Sequence, residues 1–91
     1  MPVNTAGAAA LKAYVEKIDG WEADWIPEAD YEAGVDAIVM AADASQDQTP
    51  AGRQAAGGAA LLKAITAQGY GGKVTADQCN EAAAVVLAAI A

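Results

Sequence analysis

Between Ala51 and Ala60 only Arg53 and Gln54 carry side chains larger than a methyl group, and Gly57 and Gly58 stand together in the middle of the run. The flanks nevertheless mark a helix. Thr49 can cap its N-terminus through the hydroxyl, and Pro50 suits the first helical position, where a missing N–H costs nothing. Gly69 can take the left-handed backbone that closes a C-terminus, with Tyr70 folded back on Ile65. Each interior glycine costs about 1 kcal/mol relative to alanine. A helix that accepts this cost twice in tandem usually lets another backbone come very close. Residues 50–68 are therefore expected to form the thin, central helix of a small bundle.

Helical spacing supplies the other elements. After a short arm at 1–4, with Asn4 or Thr5 as cap, Ala8, Leu11, Val15 and Ile18 make one stripe, widened by Tyr14. Gly20 is its stop signal, with Trp21 beyond it able to rest on Val15. A second stripe is Tyr31, Val35, Ile38, Val39 and Ala42, with Glu28, Asp30 and Glu32 in the opening turns, where the helix dipole favours negative charge. Gly71, Gly72 and Lys73 form a turn. The last helix has a capping box in Thr75 and Gln78 and a hydrophobic staple in Val74 and Cys79. Its stripe is Cys79, Ala82, Ala83, Val86, Leu87 and Ile90. The fold predicted is all-α: one small domain, a four-helix bundle with close Ala/Gly packing and helices near 6–18, 28–44, 50–68 and 75–90.

The connector at 21–27, WEADWIP, places Trp21, Trp25 and Ile26 among Glu22, Asp24 and Glu28. It is either a core plug beneath an alanine-rich bundle, the favoured assignment, or a patch for protein contact.

Composition bears on what such a bundle can do. Although 55% of the 91 residues are hydrophobic, 26 residues are alanine. Burial of the remaining large side chains yields roughly 1.5–3 kcal/mol each, against about 1–2 kcal/mol of backbone entropy per residue. That balance leans toward oligomerisation or a partner. Net charge is −7 and unevenly spread: residues 1–47 carry −8, residues 48–91 carry +1. A nucleic-acid binder would show the opposite sign. The acidic half is either a solvated face or a surface for a basic partner. One cysteine rules out an intramolecular disulfide. No basic segment followed by an apolar run opens the sequence, so no signal peptide is expected. The longest uncharged apolar run, 82–91, has about half the length a membrane span needs. No membrane association is expected.

Chemistry is sparse. With no His, one Cys and one Arg, the inventory excludes Ser-His-Asp and Cys-His catalysis and the usual zinc sites. Paired carboxylates such as Glu28 and Glu32 are surface charges unless a cleft holds them. GYGGKVT at 69–75 lacks the spacing and the Ser or Thr of a phosphate loop. Asp43, Ser45, Asp47 and Thr49 fall at positions 1, 3, 5 and 7 of a calcium loop between two helices. Gln48 stands where the turn wants Gly, however, and Gln54 replaces the bidentate Glu. Acyl carrier proteins are also small, acidic and four-helical, but they carry Asp-Ser-Leu at a helix start. The nearest stretch here, Asp43-Ala44-Ser45-Gln46, ends a helix and lacks the pattern.

The last helix gives the sharpest expectation. From Ala82 onward no face is polar, and a helix apolar all round is buried all round. Ala83, Val86, Leu87 and Ile90 should enter the domain's own core against the first helix. Ala84, Val85, Ala88 and Ala89 should be covered by another molecule. The functional expectation is a non-enzymatic structural subunit of a larger assembly, such as a phage particle or another protein shell, without cofactor. It would self-associate or join other proteins through Val85, Ala88 and Ala89. The alternatives are an acidic adaptor that binds a basic protein through residues 16–36, including Trp21, Glu22, Asp24, Trp25, Glu28 and Glu32, and a weak calcium-binding protein.

Overall fold

Caps and stripes become helices where the spacing places them. The computed structural model describes residues 5–19, 26–69 and 74–90. Within them stand α1 (Thr5–Asp19), α2 (Glu28–Ala44), α3 (Pro50–Ala67) and α4 (Ala76–Ile90). Each boundary lies within one residue of the sequence expectation. Asn4, Gly20 to Trp25, and Tyr70 to Lys73 lie outside the described residues, so the stop at Gly20, both tryptophans and the glycine turn do too.

Local chemistry accounts for the helix ends. The Thr49 hydroxyl accepts from the Gly52 N–H at 3.1 Å, and Pro50 occupies the first turn. At α4 the cap is reciprocal: the Thr75 N–H donates to Gln78 Oε1 at 2.8 Å, and the Gln78 N–H donates to Thr75 Oγ1 at 3.2 Å. Val74 and Cys79, on either side of that box, both join the core. α2 starts at Pro27 without a side-chain cap, and Glu28 and Asp30 supply negative charge in its first turn. Beyond the end of α3, Gly69 has φ +94°, the left-handed backbone expected of it.

The core is the set of faces the spacing picked out. Ala8, Leu11 and Tyr14 of α1 meet Tyr31, Val35, Ile38 and Ala42 of α2, Leu61 of α3, and Cys79, Ala82, Ala83 and Val86 of α4; Val15, Ile18, Ile26 and Val39 pack around them. Each such large side chain contributes roughly 1.5–3 kcal/mol when fully buried. The radius of gyration is 11.7 Å, close to the roughly 12 Å expected of a compact chain of this length, so the alanines have not left the helices splayed.

One expectation about packing order needs correction. α3 is not the centre of the bundle. It packs against α2 and α4, while α1 packs against α4 and α2, so the four helices close a ring. The small residues of α3 bring its two ring neighbours close. A Cβ added at Gly57 would lie 2.9 Å from Ile38 Cγ2 of α2 and 3.4 Å from Ala83 Cβ of α4. One added at Gly58 would run into the Asn80 side chain and lie 2.9 Å from the Asn80 Cα, which is backbone. Gly34 plays a similar part on α2. An added Cβ there would lie 3.1 Å from Leu11 and 3.2 Å from Leu61, so leucines from α1 and α3 meet over it.

Candidate functional site

The polar loop between α2 and α3 is where calcium-loop spacing placed oxygen ligands, and its side chains are engaged in holding two helix ends. The Ser45 hydroxyl donates to the Asp47 carbonyl at 2.9 Å and accepts from the Asp47 N–H at 3.2 Å. Asp47 Oδ1 accepts from the Thr49 N–H at 3.0 Å and from the Thr49 hydroxyl at 2.6 Å. Those bonds, the hydroxyl first, hold the Asp47 carboxyl below the usual carboxylate range. Asp43 pairs with Arg53 at 3.0 Å. The same guanidinium donates to Gln48 Oε1 at 2.9 Å and reaches the Ala42 carbonyl at 3.4 Å. Gln48, a departure from the calcium pattern, donates its amide to the Ala42 carbonyl at 2.9 Å and the Ser45 carbonyl at 2.7 Å. It thereby adds a second donor to the Ala42 carbonyl, which also accepts from the Ser45 N–H at 3.3 Å, and supplies one to the Ser45 carbonyl at the end of α2. Among the described residues no group of three or more His, Cys, Asp or Glu side chains is placed to hold a metal ion.

α4 carries the most distinctive surface. Ala83 and Val86 are fully buried, as expected, and Leu87, half-buried, packs against the core with them. Ile90 is also half-buried but is not among the side chains packed on the core, which corrects its assignment to the inner set. Val85 is 41% exposed, with Ala88 and Ala89 also exposed and Ala84 half-buried. A groove of about 320 Å³ runs beside this face, lined on one side by Ala84, Leu87 and Ala88 and on the other by Pro50, Arg53 and Gln54 of α3. It exists because the first half of α3 offers few side chains to fill it. Gln54, on the α3 wall, donates to the Asn80 carbonyl of α4 at 3.0 Å and so ties the two helices together.

The seam between α1 and α4 contains a polar contact that no local spacing announces. Tyr14 donates its hydroxyl to Glu81 Oε1 at 2.6 Å. Burial first, then the hydrogen bond and the negative charge of Glu81, push the Tyr14 phenol up to about 12. Cys79 is 1% exposed, and burial raises its thiol, so little of it is in the reactive thiolate form at neutral pH.

Of the acidic residues singled out for partner contact, Glu28 is exposed and Glu32 half-buried on α2; Glu22 and Asp24, like Trp21 and Trp25, lie outside the described residues. Sequence reasoning missed Met40, which is 72% exposed on the same helix between the exposed Asp36 and Asp43. Its place off the buried stripe was the available signal. Among the described residues no helix is long and apolar enough to cross a membrane. No protein-family model, curated protein or solved structure matches the chain.

Proposed function

We propose that the chain is a non-enzymatic structural subunit that packs into a larger protein assembly, such as a phage particle or another protein shell. The observation that supports this reading is the outer face of α4, where Val85, Ala88 and Ala89 are exposed with no polar side chain among them. Covering that face removes apolar surface from water at roughly 25 cal/mol per Å². Val85→Asp tests it. The variant keeps its fold, because Val85 is outside the core, and is lost from the native assembly, where an unpaired buried charge costs several kcal/mol. Val86→Asp, at a fully buried position, unfolds the subunit instead. Helicity by circular dichroism and fractionation by size separate the two effects. Normal incorporation of Val85→Asp into the assembly would sink the reading.

A second reading, an acidic adaptor for a basic protein, is favoured by α2, where Met40 projects between Asp36 and Asp43. A contact driven by those charges weakens as salt rises, whereas burial of the α4 face does not.

A further inference from the structure

We draw no further inference here: the strongest candidate, the groove of about 320 Å³ between the first half of α3 and the outer face of α4, carries nothing, because nothing in the structure shows what covers that apolar face and the Arg53 guanidinium on its wall is already paired with Asp43 and Gln48.

Discussion

Gly58→Ala is the most informative single substitution in the bundle, because propensity and packing push it in opposite directions. Alanine is favoured over glycine in a helix interior by about 1 kcal/mol. Against that, the new methyl would occupy the space of the Asn80 side chain and lie 2.9 Å from the Asn80 Cα. The side chain can rotate away, although Asn80 also carries the carbonyl that accepts from Gln54. The Cα cannot rotate away, and carbon atoms settle at about 3.5–4.0 Å. α3 and α4 must therefore separate by several tenths of an ångström or more, which overpacking studies place at roughly 1–3 kcal/mol. Subtracting the propensity gain leaves Gly58→Ala destabilised by about 1 kcal/mol and Gly58→Leu by more. Gly57→Ala should cost less, since the added methyl meets the Ile38 Cγ2 methyl at 2.9 Å but no backbone atom closer than 3.4 Å. For a domain of this size, 1 kcal/mol corresponds to a shift of about 4–8 °C in the melting midpoint, readily measured by circular dichroism. A Gly58→Ala protein that melts at or above the wild-type temperature would refute the close approach of α3 and α4.

Thr75→Ala should cost about 1 kcal/mol in a urea melt, and adding Gln78→Ala should cost less than the sum, because the two residues satisfy each other's backbone N–H groups. Tyr14, with its phenol pushed up to about 12 from a usual value near 10, should ionise well above a free tyrosine in a titration followed by phenolate absorbance, the late step disappearing in Tyr14→Phe. Since the raised value favours the folded state while the phenol is neutral, that stabilisation is complete below about pH 10 and is lost as pH climbs toward about 12. Tyr14→Phe should flatten this part of the stability profile.

What was legible in the sequence is what short-range geometry decides. Thr49 with Pro50, Thr75 with Gln78, and Gly69 act within three or four residues, so their roles follow from spacing alone. The buried faces of α1 and α2 follow from periodicity. The rest depends on which helix lies beside which. Gly34 passes for an ordinary small residue until Leu11 and Leu61 arrive on either side of it. Arg53 belongs to α3 in sequence but serves the end of α2. The groove beside α4 needs Pro50 and Leu87 to be neighbours. The central place assigned to α3 failed for the same reason: small residues signal that something comes close, without saying how many helices do.

The ring arrangement has a kinetic consequence. α2 and α3 are joined by residues 45–49, and α3 and α4 by residues 68–75, so these contacts close over short stretches of chain. The Tyr14–Glu81 contact spans a separation of 67 residues. Before any helix has docked, closing a loop that long costs about 2 kcal/mol more in chain entropy than closing one of about eight residues. Once α2, α3 and α4 have docked, most of that loop is already collapsed, and α1 has only to fold onto a surface that exists. Because α1 and α2 are likewise joined over only residues 20–27, it is the α1–α4 seam, not the whole of α1, that closes last and, by the same token, opens first. Native-state hydrogen exchange should register the helix amides along that seam as less protected than those between α2 and α3.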